Sequence, residues 1–296
     1  MKKYIPNIKK ILAYSLFSLV IFSSCKKNNS NPNQVGGFNS SNDIEPKALR
    51  AHWTFDDTPD EIINGIKPSN FNGTSYVTGI KGKAISLADG YILYPNFSAV
   101  NGPDLGSVTV SCWIKIANNG SKNSNAFSLT IGTAHQTDFG ASFINMGIET
   151  SSAASDSTLI LQPSFTTYPN TQSSRVSGDN SGTFNGANKW VHYVTRYDGV
   201  TSNFDVFADG VMISNMNMRH KTFSGTDKGL GDLLTCGCPS QVLIGGFANA
   251  ATGFLNSPVH SQDGLFNGQI DELRFYTTAL TDAEINSLYL LEKAGN

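Results

Sequence analysis

From Ala48 onward the chain reads as short stretches in which apolar and polar residues alternate, each closed by Gly, Asn, Asp or Ser. The pattern is clearest in "GKAISLADGYILYP", "SVTVSCWIKI", "KWVHYVTRYDG" and "NFDVFADGVMIS". It recurs in "ALRAHWTF", "AFSLTIG", "ASFINMGIE", "STLILQPSF", "SQVLIGGF" and "GLFNGQIDELRFYTT". A period of two sends successive side chains to opposite faces of a strand, so each stretch predicts a strand with one buried face. Asp89-Gly90, Asp198-Gly199 and Asp209-Gly210 suit hairpin turns, because both residue types accept positive φ. One helix is predicted near the end of the chain. Thr281 is its N-cap, Glu284 completes a capping box, and Ile285, Leu288 and Leu291 share a face. About ten strands, Gly-rich turns and one short C-terminal helix predict an all-β fold, two antiparallel sheets packed as a sandwich, with a closed barrel as the alternative. Stretches rich in Ser, Thr, Asn and Gly at 118–125 and 168–188 predict long loops.

The first residues follow a different rule. Lys2, Lys3, Lys9 and Lys10 precede a mostly apolar run from Ile11 to Phe22, too short to span a bilayer as a helix and of the length of a secretory core. The run ends in "FSSC", which resembles the lipobox of bacterial lipoproteins, where cleavage precedes a cysteine whose thiol is acylated. This predicts a signal peptide over 1–24, lipidation at Cys25 and a tether from 25 to 46, whose Asn, Ser, Gly and Lys bury too little apolar surface to order themselves. Lys26 stands where an aspartate would retain the protein at the inner membrane. The expectation is a lipoprotein of the bacterial cell envelope, at the outer membrane, touching lipid through its anchor only. The folded domain is expected over 47–296.

Charge and cysteine content narrow the function classes. Loss of the four leading lysines leaves 17 basic against 23 acidic residues, which argues against nucleic acid as a partner. Past Cys25 the cysteines are Cys112, expected in the core, and Cys236 and Cys238 in "TCGCP", which carries no second pair at zinc-ligand spacing. The five histidines form no metal or nucleophile motif, and no serine elbow occurs.

The acids of "GQIDELRF" raise a sharper question. In a regular strand Asp271 and Glu272 face opposite ways, with Ile270 on the side of Glu272, and Gln269 and Leu273 on the side of Asp271. They therefore cannot act as a pair on one substrate. Retaining glycoside hydrolysis needs two carboxyls about 5 to 5.5 Å apart, and the six glutamates are too dispersed to supply such a pair from one strand. No catalytic residue is assigned, and the chain reads as a binding protein, with an envelope structural or protein–protein interaction domain lacking a sugar site as the alternative and a divergent glycoside hydrolase, its carboxylates converging from separate strands, as the third reading. Trp53, Trp113 and Trp190 fall in strand motifs and are expected in the core. The aromatics predicted in loops are Phe139, Phe165, Tyr168, Phe184 and Phe254; of these Tyr168, Phe165 and Phe254 are the candidate ligand-binding residues.

The motifs "AHWTFDD", "GIKGKAISLADGYILYP", "SVTVSCWIK", "NKWVHYVTRYDG", "VFADGVMI", "VLIGG" and "FNGQIDELRFYTTALTDAEINSLY" come in an order that resembles laminin-G-like, concanavalin-A-like jelly-roll domains. The resemblance runs from Ala51 to Leu290 and departs in the Ser-rich middle and in "LLTCGCPS". It implies two face-to-face antiparallel sheets with the first and last strands adjacent, and a glycan or glycosylated surface as partner. It also implies a structural calcium held by Asp271 with Asp57 and Asn64; capping of backbone amides is the other reading of Asp271.

Overall fold

The computed structural model describes residues 34–100, 105–118, 122–131, 142–149, 157–166, 175–177, 182–220, 222–223, 226–227, 240–255 and 258–296. Within these the strands are β1 (Leu49–Trp53), β2 (Asn70–Thr78), β3 (Lys83–Leu93), β4 (Val108–Ile116), β5 (Asn123–Ile131), β6 (Ser142–Glu149), β7 (Leu159–Thr166), β8 (Arg175–Ser177) and β9 (Gly182–Phe184). They continue with β10 (Val191–Asp198), β11 (Asn203–Ala208), β12 (Val211–Met212), β13 (Thr222–Phe223), β14 (Thr226–Asp227), β15 (Ser240–Ile244) and β16 (Phe266–Tyr276), and one helix follows, α1 (Asp282–Lys293). Asp198-Gly199 and Asp209-Gly210 close turns after β10 and β11, and Asp209 and Gly210 both take positive φ. Asp89-Gly90 instead lies inside β3, where Asp89 takes φ 45° and the strand bends. The helix begins as read: the Thr281 side chain accepts from the Glu284 amide while the Glu284 side chain accepts from the Thr281 amide.

Fourteen strands join in one antiparallel sheet in the order β12-β11-β10-β4-β16-β3-β15-β5-β6-β7-β8, with β1 beside β16, β2 beside β3 and β9 beside β7. The sheet curls until its halves face each other. Phe127 of β5 lies 6.1 Å from Phe275 of β16, ring to ring, and Tyr193 Oη of β10 donates to the Gly147 carbonyl of β6 at 3.1 Å. Between the halves lies one apolar core that draws on Ile85, Val110, Ile114, Phe127, Met146, Leu161, Val206, Val242 and Phe275. Trp53 sits in it edge-on to Tyr94, with centroids 5.4 Å apart. Cys112 is buried and unpaired, and burial raises its pKa. Among the described residues no helix is long and apolar enough to cross a membrane.

The first strand lies against the last: Ala51 pairs with Phe275 and Trp53 with Leu273. One irregularity in β16 decides which way its side chains point. Glu272 has φ 44°, and the register with β4 shifts between Asp271 and Arg274. This is a bulge, an extra residue in one strand of a pair. Ile270, Leu273 and Phe275 therefore share the core face, while Tyr276 packs in a second cluster outside it with Ile285, Leu288 and Leu291 of α1. The regular alternation expected at Asp271 and Glu272 is overturned here, because the extra residue resets the phase after Asp271.

Ordered packing also starts earlier than the residue at 47 expected for the domain boundary. Ile44 is fully buried with the α1 residues, and Val35 and Phe38 lie against the same cluster. Ser41 donates both its amide and its hydroxyl to the Asn296 carbonyl, at 3.4 and 2.8 Å. The segment 34–46 is thus a strap on the folded body. Its polar composition hides the three apolar residues that fasten it.

Candidate functional site

The outer face of the β5-β6-β7 layer is polar where its inner face is apolar. Ile144, Met146 and Ile148 alternate inward along β6. The intervening positions pair across the strands in three rungs: Ser128–Asn145–Ser164, Asn125–Gly147–Gln162 and Asn123–Glu149–Ile160. All of these but Ser128 and Ile160, together with Ser124, Ile148 and Phe247, line a shallow groove open to solvent. Gly147 forms part of its floor. A Cβ there would stand 2.4 Å from the Gln162 backbone carbonyl, so only glycine lets the neighbouring strand close up while leaving the rung low.

The lining is short of good hydrogen bonds. Asn125 Nδ2 reaches both Asn145 Oδ1 and the Gly246 carbonyl at 3.4 Å, Ser128 Oγ reaches Gly246 at 3.3 Å, and Asn145 Nδ2 reaches Ser164 Oγ at 3.3 Å. Well-formed bonds of these types lie near 2.7 to 3.0 Å. These largely buried amides and hydroxyls therefore keep capacity for a ligand. Phe247, half-buried, stands beside them as the aromatic member. Among the described residues Glu149 is the one carboxylate of the lining, and no lysine or arginine belongs to it. Lys122, next in sequence to Asn123, donates to the Ser261 carbonyl.

A second polar cluster, between the outer face of β16 and α1, is sealed. Arg274 donates to Glu292 Oε1 at 2.7 Å, Glu272 Oε2 at 2.6 Å, Asn42 Oδ1 at 2.9 Å and Ser41 Oγ at 3.1 Å. Glu292 also accepts from Trp113 Nε1 at 2.8 Å, and Glu272 meets His52 Nε2 at 3.0 Å. Burial lowers His52 and, with Arg274, takes His192 down to about 3, while burial pushes Glu292 up to about 7. Burial also opposes ionisation of Glu272, but the His52 hydrogen bond and the Arg274 charge prevail and hold it below the ordinary carboxylate range. Arg274, Glu272, Glu292 and His192 are fully buried, and His52 nearly so, so no substrate reaches them. The cluster fastens the strap, the sheet and the helix to one another.

The residues predicted from sequence are scattered. Asp271 is buried and accepts the amides of Ile80 at 2.7 Å and Lys81 at 3.1 Å on Oδ2, and that of Glu272 at 2.8 Å on Oδ1. Burial pushes its carboxyl up to about 8, with these amides pulling the other way. Asn64 serves the loop around buried Glu61, its Nδ2 donating to Glu61 Oε2 and to the Arg50 carbonyl. Asp57 is exposed, 3.9 Å from Lys83 Nζ. Among the described residues no three His, Cys, Asp or Glu side chains lie together as a metal site. Phe254 corrects its expectation. It is 2% exposed, packed with Tyr91, Leu93 and Leu243, and presents no ring face to a ligand. Phe165 lies on β7, paired with Ile144 and Val176, and not in a loop. Phe184, also on a strand, packs against the core. Trp53 and Trp113 are buried, and Trp190 is half-buried just ahead of β10. Cys25, Phe139, Tyr168, Cys236 and Cys238 lie outside the described residues.

The groove residues escaped the sequence reading, although "ASFINMGIE" and "STLILQPSF" carry their signal as alternate polar positions. What one sequence does not give is the register that aligns Asn145 with Ser164 and Gly147 with Gln162.

A curled antiparallel β-sheet closed over one apolar core, with a polar groove on its outer face, is the class of structure these observations define. Comparison with known protein families and with curated proteins finds no match. Among solved structures the chain is similar to a Trypanosoma rangeli sialidase in complex with a difluoro-nononic acid, at 12% identity and TM-score 0.52, over 88% of this chain and 35% of the sialidase. It is also similar to the binding domain of botulinum neurotoxin DC in complex with rat synaptotagmin II, at 13% identity and TM-score 0.51, over 83% of this chain and 52% of the toxin domain. Domain 4 of the arabinanase AbnA from Geobacillus stearothermophilus, in complex with arabinotriose, matches at 17% identity and TM-score 0.47, over 81% of this chain and 97% of that domain. The chain thus spans about a third of the sialidase and half of the toxin domain. At these identities the likeness concerns the fold.

Proposed function

We propose that this protein is an exported binding module that holds a glycan against the outer face of β5, β6 and β7, within a jelly-roll sandwich. The observation that carries this reading is the cluster of Asn125, Ser128, Asn145 and Ser164, side chains that are buried yet bonded only at 3.3 to 3.4 Å. Neutral polar groups at the edge of their bonding range suit a ligand that brings many hydroxyls, each able to donate and accept. Phe247 supplies an apolar surface of the kind a sugar ring covers. That the similar sialidase and toxin binding domain are in complex with a difluoro-nononic acid and with synaptotagmin II accords with a binding role for this fold. Binding is the reading preferred here: among the described residues of the lining Glu149 is the carboxylate present, whereas a retaining mechanism needs two. In this proposal Cys25 carries a lipid and residues 25–33 lead from the envelope membrane to the strap.

The test is affinity electrophoresis of the purified protein through gels containing plant or microbial polysaccharides. Retardation by at least one of them is expected. The double substitution Asn145→Ala with Gln162→Ala should reduce it at least tenfold, with the unfolding midpoint unchanged. Retardation that survives the double substitution, or none with any polysaccharide, overturns the proposal.

A further inference from the structure

Resting on the glycan reading above, we infer that the groove selects uncharged glycan chains over acidic ones and that Glu149 is the residue that selects. Glu149 closes the ladder at one end of β6, cross-strand from Asn123, and is half-buried in the groove wall. The rest of the polar lining is neutral: Asn123, Ser124, Asn125, Asn145, Gln162 and Ser164. Among the described residues no lysine or arginine pairs with Glu149, and the nearby Lys122 is turned to Ser261.

A carboxylate in this setting acts in two ways. Its two oxygens accept from adjacent hydroxyls of one sugar, and hydrogen bonds to an ionised acceptor are shorter and stronger than neutral ones. Any uronic or sialic carboxylate placed in the same groove meets a like charge across a partly dehydrated gap, with no cation among the described lining residues to offset it. Asn and Gln amides bind neutral hydroxyls well but do not compensate a buried anion. Neutral hexosan or pentosan chains therefore fit, and polyuronates or polysialic acid are excluded.

The experiment measures retention of the purified protein on a neutral panel (xylan, mannan, β-glucan, arabinan) and an acidic panel (polygalacturonate, hyaluronan, polysialic acid). At low salt, retention on the best neutral chain is expected to exceed that on any acidic chain at least tenfold. Glu149→Gln, which keeps the shape and removes the charge, should weaken neutral retention severalfold and bring the ratio toward one. Added salt, by screening, should narrow the ratio for the unsubstituted protein but leave it unchanged for Glu149→Gln. Equal retention of acidic and neutral chains at low salt, or a ratio that Glu149→Gln leaves intact, overturns the role of Glu149 and spares the glycan reading. Retention of nothing on either panel overturns both.

Discussion

Trp113 of β4 donates its indole N–H to the carboxylate of Glu292 in α1 at 2.8 Å, and both residues are buried. A helix held to a sheet only by Leu and Ile could slide by a turn. This bond, together with the Arg274 guanidinium on the other oxygen of Glu292, fixes one register. Charged clusters of this kind add little net stability when intact, but losing one member exposes the cost of the rest. Glu292→Ala leaves the buried Arg274 with Glu272 as its one carboxylate partner and orphans the Trp113 N–H. It should lower unfolding free energy by about 3–5 kcal/mol, read from urea denaturation followed by tryptophan fluorescence. Glu292→Gln, which can still accept from Trp113, should recover part of the loss.

His192 sets a pH dependence. Burial, with Arg274 adding to it, lowers its pKa to about 3, whereas an unfolded histidine titrates near about 6.5. Between these values the unfolded chain takes up a proton that the folded chain refuses, so stability rises with pH. The contribution is complete above about 6.5 and is lost as pH falls toward 3. Glu292, raised to about 7 by burial, works in the opposite sense: its contribution is complete below 4.5 and is lost as pH rises through 7. Comparing variants separates the two. Going from about pH 7.5 to about pH 4.5, the unsubstituted protein should lose more unfolding free energy than His192→Gln does. Equal losses would mean that His192 is protonated in the folded chain.

The strap can be removed. A chain beginning at Lys47 lacks Ile44, which is fully buried, and the Ser41 and Asn42 side chains that accept from Arg274. A chain beginning at Gln34 keeps them all. The shorter one should unfold with at least about 3 kcal/mol less free energy, since losing a buried Ile side chain alone costs about 2–5 kcal/mol. Matching urea midpoints for the two chains would show that the strap contributes nothing.

Asp271→Ala strips three amides of their acceptor at once. With the amides as its partners, the substitution should cost about 2–4 kcal/mol, equally in calcium and in chelator. A structural calcium shared with Asp57 and Asn64 would appear differently: chelator would lower the melting temperature of the unsubstituted protein, and Asp271→Ala would abolish that drop. Differential scanning fluorimetry with and without EGTA distinguishes the two.

Much of the fold was legible because period-two patterning is a local property. The strand runs, the Asp209-Gly210 turn and the Thr281–Glu284 cap each need only a few neighbours to be read. Adjacency of β1 and β16 came from the motif order, and Ala51 does pair with Phe275. What stayed hidden depends on distant partners. Phe254 lies among loop-like residues yet is buried, because Tyr91 and Leu243 come to it from β3 and β15. Val35, Phe38 and Ile44 are too sparse to announce a packed segment until α1 supplies the surface they cover. The groove is a product of register: Asn145 and Ser164 are ordinary outward positions until strand pairing sets them side by side.

The positive φ at Glu272 carries one more consequence. A bulge residue stands outside the alternation of its strand, so its neighbours keep their faces only while it stays looped out. Were Glu272 drawn into regular extended backbone, counting would run on through it and turn Leu273 and Phe275 toward the helix and Arg274 toward the apolar interior. Deleting it instead leaves Ile270, Asp271, Leu273, Arg274 and Phe275 in plain alternation on their present faces, and what is lost is the carboxylate that Arg274 and His52 share.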